Sequence, residues 1–483
     1  MKPNLILFNP DQMRADSLSH LGNRAIDTKN MDALAADGVS FSNAFCQNPV
    51  CTPSRCSFVS GWYPHVRGHR SMHYMMQPDE PVIFRRLMQE GYHVWWGGKN
   101  DIVSADKNIL DYCHEKPEPD FLKKNLEQDP DWMGSWRGQL GGKGFYSFHA
   151  GVMPDQHDIG FLRHDEYFIE KAIEQIKNRK KDQPFCLFLP LLFPHPPYAV
   201  EKRYADRVKV EKIETPVVLE DLSGKAKMLS KIRKNQNLQD WNPEEFIQLK
   251  RTYLGMVVKV DEMLGRLMDA LKEEGIYDDT ALFVFSDHGD YTGDYGLVEK
   301  NQNTFEDALT NVPMIVKPPK GFAVKHGVRK DFVELLDLPT TIAEMAGFDL
   351  DYQQFGTSMM PLVAGEAGER DFAVSEGGRL PGEEQCMEKG HQPLSLYWPR
   401  LSAQEEEDGA HGKAIMIRAV RYKYVYRAQE RDEFYDLELD PKEKDNRIED
   451  PALTDEIQIL KDKLLDFLVR TGDYVPPKRE KRK

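Results

Sequence analysis

Cysteine is scarce in this sequence. Only six of its 483 residues are cysteines, too few for the disulfide framework that stabilises small secreted domains. The short cysteine pairs typical of structural zinc sites are also missing, so we predict no thiolate metal site. Three of the cysteines, Cys46, Cys51 and Cys56, nevertheless recur at five-residue intervals. At least one of these three cysteines is therefore expected to have a role other than a disulfide or a zinc site.

Long apolar runs are absent as well. No stretch approaches the length needed to cross a bilayer, so we predict no membrane span and no membrane partner. At the N-terminus, the apolar run Leu5-Ile6-Leu7-Phe8 is far shorter than the core of a signal peptide. We therefore predict a cytoplasmic location.

The chain has fewer basic residues (64) than acidic residues (79). The formal net charge is −15, which repels a phosphate backbone and makes nucleic acid an unsuitable partner. The exception is the basic tail 476–483, which begins with two prolines and is typical of a disordered terminus.

What the sequence does contain is enough apolar material for a large folded protein. With 40% hydrophobic and 30% charged residues, the composition is that of a globular chain, and its length predicts one large and one smaller domain. Strands and helices alternate through the first three quarters, which predicts an α/β fold with a central mixed, mostly parallel sheet between helices. Later strands alternate in polarity, as in an antiparallel sheet. We therefore predict a catalytic domain over 1–365 and a smaller α+β subdomain over 366–475.

Particular segments carry this prediction. The predicted strands of the large domain are Leu5 to Phe8, Tyr92 to Trp96, Phe185 to Leu192, Ala281 to Phe285 and Met314 to Val316. The predicted helices are Met31 to Ala36, Val82 to Gln89, Glu244 to Glu274, Leu335 to Ala346 and Ile457 to Val469, several of them stopped by glycine. The short runs Ala414 to Val420 and Tyr422 to Tyr426 are predicted strands of the small domain.

Polar residues follow four of the predicted strands directly. They are Asp11-Gln12, Lys99, His195 and Asp287-His288. Each could be a cap or turn residue by itself, but ligands of open α/β sheets bind where the carboxyl ends of the strands meet.

The candidate site residues, at the strand ends and elsewhere in the chain, fall into two chemical groups. Asp11, Gln12, Asp287 and His288 offer three oxygen-bearing side chains and one imidazole, which predicts one divalent cation, Ca²⁺ in preference to Mg²⁺ or Mn²⁺. A second group of cations and donors would surround an anion undergoing sulfuryl or phosphoryl transfer. It comprises Arg55, Lys99, His195 and Lys300.

The run Cys51-Thr52-Pro53-Ser54-Arg55, continuing to Gly61, resembles the signature of the formylglycine-dependent sulfatases. Further segments are similar to other motifs of that family, in chain order Gly91-Tyr92 with Gly98-Lys99, Phe193 to Pro196, Ser286 to Asp290 through Lys300, and Glu433 to Leu437 with Asp440-Pro441. The resemblance covers nearly the whole chain and implies an alkaline-phosphatase-like fold.

The resemblance also implies a mechanism. A maturation enzyme would oxidise Cys51 to formylglycine, whose hydrate attacks sulfur with one hydroxyl and expels sulfate with the second. Residue 51 would also join the metal ligands. Arg55 would steady the hydrate, Lys99 and Lys300 would grip sulfate oxygens, and His195 would protonate the leaving oxygen.

Two positions depart from the common family pattern. Many sulfatases have a second aspartate where this chain has Gln12, and the combination with Asp-His is similar to choline sulfatases and phosphonate monoester hydrolases. The other departure is Asp101, where a histidine two residues after the lysine is usual and is often assigned to sulfate release. The substrate-contacting candidates for that step are Asp101, His65, His69 and His73.

The sequence leaves the ester unnamed. A long segment between Asn100 and Asp165 carries Trp132, Trp136, Tyr146 and His149 and is interpreted as a lid, either for a sugar ring or for packing on the small domain. We predict hydrolysis of a sulfated carbohydrate or another small organic sulfate, with oligomeric state left open.

Three rival functions remain. A phosphonate monoester or phosphodiester hydrolase would use the same nucleophile, and a silent homologue would only bind an anionic glycan. A two-zinc phosphatase is disfavoured because it would need more ligands and a serine or threonine at position 51.

Overall fold

The computed structural model describes residues 2–118, 130–155 and 160–476. Parts of the predicted lid (119–129, 156–159 and the side chain of Trp132) and the tail 477–483 lie outside the described residues. The strands, in chain order, are β1 (Asn4–Asn9), β2 (Val39–Phe45), β3 (His93–Trp96), β4 (His149–Met153), β5 (Phe185–Pro190), β6 (Tyr198–Glu201), β7 (Thr280–Phe285), β8 (Met314–Lys317), β9 (Gly327–Glu334), β10 (Phe372–Gly377), β11 (Ala414–Ala419), β12 (Tyr422–Arg427) and β13 (Glu433–Asp436).

The helices pack around these strands. In chain order they are α1 (Lys29–Asp37), α2 (Cys51–Ser60), α3 (Pro64–Arg67), α4 (Ile83–Gln89), α5 (Pro130–Arg137), α6 (Gly160–Asn178), α7 (Lys202–Ala205), α8 (Lys227–Gln236), α9 (Pro243–Glu273), α10 (Asp307–Thr310), α11 (Leu338–Ala346), α12 (Met360–Ala364), α13 (Trp398–Glu406) and α14 (Thr454–Thr471). Of the helices in the described part of the chain, none has the length and apolar character to span a bilayer. The cytoplasmic location stays a prediction.

The central sheet has seven strands in the order β3-β5-β1-β7-β8-β2-β9. Strands β3, β5, β1 and β7 are parallel neighbours, while β8 runs antiparallel to both β7 and β2. A smaller antiparallel sheet follows in the order β10-β11-β12-β13. The predicted fold class, a mixed and mostly parallel sheet with helices plus a separate antiparallel sheet, is confirmed.

The sheet is buried on both faces because its strands are apolar on both faces. In β1, Ile6 and Phe8 join the core cluster that contains residues of α1, α6 and α9. Leu5 and Leu7 point the other way, into the cluster that contains residues of α2, α4 and α11. A strand covered on both sides must read as a continuous apolar run, which is what made it recognisable in the sequence.

The C-terminal sheet is closed by α14. Ile457, Leu460, Leu464 and Phe467 of that helix share a buried cluster with strand residues such as Ile417. The domain boundary proposed near residue 365 lies between the end of α12 and the start of β10.

Two strands of the central sheet, β2 and β9, were not predicted. Strand β9 begins with an alternation of exposed and partly exposed residues and becomes buried only near its end. It lies at the edge of the sheet, where charged residues such as Arg329 and Lys330 are tolerated. Its amphipathic, charged sequence therefore lacks the apolar run that marks the inner strands.

Candidate active site

Four parallel neighbours of the central sheet end at one edge, and the loops that follow them meet there. Asp11 follows β1, Lys99 follows β3, His195 follows β5 and Asp287 follows β7. Parallel strands carry their carboxyl ends to the same edge, so residues distant in sequence become neighbours. Lys99 Nζ lies 2.7 Å from Asp11 Oδ2 across 88 positions of sequence.

Four buried side chains at this edge could hold a metal ion. Asp11, Cys51, Asp287 and His288 each present a ligand atom, and these atoms lie within 4.8 Å of one another. Cys51 Sγ is 3.2 Å from His288 Nε2 and 3.6 Å from Asp11 Oδ1. His288 Nδ1 lies 2.9 Å from the Gly289 carbonyl oxygen, to which it donates, so the lone pair of Nε2 faces the thiol.

The cluster fits a divalent cation. The Oδ2 atom of Asp287 is buried and makes no hydrogen bond to the described residues, although the Arg55 guanidinium lies 2.9 Å away. An orphaned carboxylate oxygen beside a second carboxylate and an imidazole nitrogen is a donor set that hard cations accept. The residues present therefore suit the ion that the motifs predict.

Cys51 is the first residue of α2. Its neighbour Val50 is the extended N-cap residue, and Gly61 ends the helix in the left-handed conformation. Position 51 thus lies at the positive end of the helix dipole, which favours a bound anion. Ser54 Oγ donates to the Asp287 carbonyl oxygen at 2.6 Å and ties the helix to the loop after β7. Burial, with a further contribution from Asp11, raises the pKa of the Cys51 thiol.

Arg55 lies one helical turn after Cys51, on the same side of α2. Its side chain is fully buried and its Nη2 atom lies 3.0 Å from Asp11 Oδ2 and 2.9 Å from Asp287 Oδ2. Nη1 donates to Asn9 Oδ1 at 2.8 Å. Burial raises the pKa of Asp11, but the charges of Lys99 and Arg55 hold it well below the ordinary value. The carboxylate is therefore kept ionised.

Lys99 and Asp101 form the accessible side of the cluster. Besides Asp11, Lys99 Nζ contacts Asp101 Oδ2 at 2.9 Å and Cys51 Sγ at 3.6 Å. The Lys99 side chain is 22% exposed and that of Asp101 16%, whereas those of Asp11 and Arg55 are 0% exposed. A substrate would therefore approach residue 51 past these two side chains.

Lys300 contacts the site through Gln12. Its Nζ donates to Gln12 Oε1 at 2.6 Å, and the amide oxygen keeps a second lone pair for another partner. Gln12 Nε2 donates to Asp290, which also accepts from the Tyr198 hydroxyl at 2.8 Å. Gln12 has a φ of 67°, an unusual backbone for a non-glycine residue beside a site.

His195 is buried at the same edge. Its Nδ1 atom lies 2.5 Å from the Pro196 carbonyl oxygen and donates to it. Burial, followed by the nearby positive charges of Lys300 and Lys99, places the pKa of His195 well below its ordinary value. The imidazole is therefore neutral at pH 7 in the absence of a bound anion.

The three other histidine candidates lie elsewhere. His65 Nδ1 is 2.6 Å from Glu376 Oε1 and Nε2 is 2.9 Å from the Thr471 carbonyl oxygen. His69 Nε2 is 2.9 Å from Glu80 Oε2, and His73 is exposed. His65 therefore joins α3 to the C-terminal domain, and His69 holds its own loop together. Of the candidates for sulfate release, Asp101 is the one with a contact to the cluster.

Several residues of the site were missed from the sequence. Asn9, Tyr198, Glu299 and Arg400 all contact residues of the cluster or their immediate partners. Asn9 could have been found, because a polar residue closing an apolar strand beside Asp11 is a signal. No sequence signal marks Arg400, because its helix reaches Lys300 only in the folded chain.

The predicted lid packs partly against the C-terminal segment. The Tyr146 hydroxyl donates to the Pro393 carbonyl oxygen at 2.7 Å, and His149 Nε2 is 3.1 Å from Thr252 Oγ1. The Tyr146 contact agrees with packing on the small domain, whereas His149 packs on α9 of the large domain. A role as a lid stays a prediction.

The sheet order and the separate antiparallel sheet are those of an alkaline-phosphatase-like fold. Solved structures agree: the phosphonate monoester hydrolase of Agrobacterium radiobacter superposes with a TM-score of 0.77 at 20% identity, covering 97% of this chain and 96% of that chain. A family model described as Sulfatase matches residues 3–348. The chain belongs to the sulfatase family, and its class is that of the sulfuric ester hydrolases.

Two further relatives carry informative descriptions. The choline-sulfatase of Rhizobium meliloti (strain 1021) is 26% identical over 466 residues, which cover 93% of this chain and 83% of that protein. A structure described as a complex with its substrate D-glucosamine-2-N,6-O-disulfate has a TM-score of 0.74 at 20% identity, covering 99% of this chain and 100% of that chain. The resemblance drawn from the motifs is confirmed at the level of the family.

Proposed function

We propose that this protein hydrolyses a sulfate ester with a formylglycine at position 51 as nucleophile. The observation that carries the proposal is the position of Cys51 at the N-terminus of α2, with Sγ 3.2 Å from His288 Nε2 and 3.6 Å from Lys99 Nζ. A group attached there is surrounded by carboxylates, imidazole and ammonium, and it sits at the positive end of a helix. The modification requires a separate maturation enzyme as partner.

A divalent cation, Ca²⁺ by preference, would be held by Asp11, Gln12, Asp287, His288 and residue 51. When bound, it would supply Lewis acidity toward oxygen atoms at this position. Arg55 would hold both carboxylates in place, since it contacts Asp11 and Asp287 within 3.0 Å.

The remaining side chains would act on the ester. Lys99 and Lys300 would hold the sulfate oxygens, because their ammonium groups contact Asp11 and Gln12, two of the proposed metal ligands. His195 would pass a proton to the leaving oxygen. A bound sulfate would offset the lysine charges that now depress the pKa of His195, so substrate binding itself would bring the imidazole closer to its protonated form.

Asp101 would serve the release of sulfate. It is the candidate that touches Lys99, and Oδ2 is buried without a hydrogen-bond partner of good geometry in the described chain. A carboxylate beside a lysine at the open side of the site could accept the proton that leaves the hydrate.

A sulfated carbohydrate or another small organic sulfate is the proposed substrate. One structural neighbour is described with a disulfated glucosamine as its substrate, and the choline-sulfatase relative is named for a small organic sulfate. The choice between these two classes would be made by a panel of sulfated sugars and choline sulfate.

A phosphonate monoester or phosphodiester hydrolase is the second candidate. It is favoured by the structural similarity to the phosphonate monoester hydrolase of Agrobacterium radiobacter, whereas Gln12 with Asp287-His288 is similar to choline sulfatases and phosphonate monoester hydrolases alike. Initial rates on matched 4-nitrophenyl sulfate and 4-nitrophenyl phenylphosphonate would separate the two. A much faster phosphonate reaction would overturn the sulfatase proposal.

The modification needs its own experiment. Mass spectrometry of the peptide spanning Asn48 to Arg55, from protein made together with a maturation enzyme, should show the mass of formylglycine in place of cysteine. Unmodified Cys51 in protein from the native source, with no turnover and with anionic-glycan binding that survives Cys51→Ala, would instead support the silent binding homologue.

A further inference from the structure

A chain of buried charges runs from the C-terminal segment into the candidate active site. Arg400, in α13, donates through Nη1 to Glu299 Oε2 at 2.8 Å and through Nε to Glu388 Oε2 at 2.5 Å. Glu299 Oε1 accepts from Lys300 Nζ at 2.6 Å. Side-chain exposure is 9% for Arg400, 4% for Glu299 and 2% for Lys300. Charges buried this deeply depend on one another, because none can be solvated instead.

The direction of the Lys300 ammonium is set by its acceptors. Two of its three N–H groups donate to Gln12 Oε1 and Glu299 Oε1, both at 2.6 Å. A tetrahedral ammonium with two fixed donors has only one direction left for the third. The position of Glu299 therefore decides where that third donor points.

Glu299 is held in an unusual conformation. Its φ is 67°, a left-handed backbone that is unfavourable for a residue with a side chain and persists only when the surroundings impose it. The Glu299 backbone N–H donates to the Tyr198 hydroxyl at 2.9 Å. Arg400 adds a second clamp, since Nη1 donates both to the Glu299 carboxylate and, at 3.0 Å, to the Lys300 carbonyl oxygen.

We propose that Arg400 is a positioning residue that sets Lys300 through Glu299. Arg400 engages one oxygen of the Glu299 carboxylate and leaves the other for Lys300. Glu299 is thereby shared between two cations, so it offsets less of the Lys300 charge than it would in an isolated Lys300–Glu299 pair, while Glu388 balances the charge of Arg400. The C-terminal segment thereby becomes part of the machinery that binds the sulfuryl group. This inference rests on the proposed function for the role of Lys300.

A double-mutant cycle tests the proposal. Arg400→Gln should lower kcat/KM for the sulfate ester about tenfold and weaken the binding of inorganic sulfate about tenfold. In the Lys300→Ala background, the same substitution should change both quantities by less than about twofold. Arg400→Lys, which can keep an ion pair with Glu299, should recover part of the loss. Equal losses in both backgrounds would show that Arg400 acts on overall structure, and the proposal would be overturned.

A matched control separates positioning from stability. Arg370 is another arginine of the C-terminal segment, paired with the buried Asp337 through Nη2 at 2.8 Å. Arg370→Gln should lower the melting temperature but leave kcat/KM and sulfate affinity within about twofold. A tenfold loss of sulfate affinity in this variant would also contradict the proposal.

Two further measures keep the test decisive. If Arg400→Gln shows no cooperative unfolding transition, Glu299→Gln replaces it in the same cycle, because that change removes the charge and keeps the shape. Sulfate binding is measured by calorimetry on protein with unmodified Cys51, so it needs no turnover. A parent protein that hydrolyses neither ester would sink the proposed function, and the binding cycle would still decide the role of Arg400.

Discussion

His288 Nε2 lies 3.2 Å from Cys51 Sγ, although the two residues are 237 positions apart. The Nδ1 atom of His288 is committed to the Gly289 carbonyl oxygen, so the facing nitrogen carries a lone pair directed at residue 51. A thiol would gain little from that lone pair. A cation between the two residues would make use of it, together with the orphaned oxygen of Asp287.

The first prediction concerns the nucleophile. Cys51→Ser should allow attack on sulfur but trap the sulfated enzyme, because a serine ester lacks the second hydroxyl that expels sulfate. Steady-state turnover should fall by at least about 10³-fold, with one equivalent of alcohol released in a burst. Cys56→Ala, on the same helix, serves as the control and should keep its activity. Sustained turnover by Cys51→Ser would argue against the formylglycine mechanism.

The second prediction concerns the metal. Ca²⁺ added to chelator-treated protein should raise the melting temperature, since a ligand that binds only the folded state adds about 2.7 kcal/mol at one hundred times its dissociation constant. His288→Ala should abolish most of that shift. In His69→Ala the protein should be less stable but respond to Ca²⁺ as before. A cation response that survives His288→Ala would place the ion elsewhere.

The third prediction concerns sulfate release. Asp101→Asn keeps the side-chain shape but cannot accept a proton, so kcat should fall by about 10²-fold while the first equivalent of alcohol is still released rapidly. Asp101→Glu should retain more activity. Stopped-flow detection of nitrophenol measures both phases. A uniform loss without a burst would assign Asp101 to binding Lys99 and not to release.

The fourth prediction concerns pH. His411 is fully buried, its two ring nitrogens have no hydrogen-bond partner among the described residues, and burial followed by Arg379, Arg400 and Arg70 lowers its pKa to about 3. Above pH 6.5 both the folded and unfolded states are neutral at this residue. As the pH falls from 6.5 toward 3, the unfolded state binds a proton that the folded state does not, so stability is lost.

This loss can be isolated by substitution. At pH 5 it should amount to about 2 kcal/mol relative to pH 8, and His411→Asn should remove it. Urea unfolding of both proteins at the two pH values gives the difference, with His326→Asn at an exposed position as the control. An unchanged pH dependence in His411→Asn would show that this residue does not stay neutral when folded.

The inner strands and the nucleophile segment could be predicted from local sequence patterns alone. Strands β5 and β7 are buried on both sides and therefore appear as continuous apolar runs, and the residues that follow them are those that the structure gathers at one edge. Cys51 and Arg55 are four residues apart, so a helix beginning at position 51 is enough to place them side by side. Local spacing carries such information because helix and strand geometry is nearly fixed.

Which candidate for sulfate release lies beside the Asp11, Cys51, Asp287 and His288 cluster became clear from the packing of the folded chain. Asp101, His65, His69 and His73 could not be ranked from sequence, yet His65 pairs with Glu376 and His69 with Glu80, while Asp101 touches Lys99. Arg400 could not be identified from the sequence because its contact with Glu299 spans 101 positions and joins helix α13 to the loop after β7. Contacts of that kind depend on how separate layers pack, and no local periodicity records them.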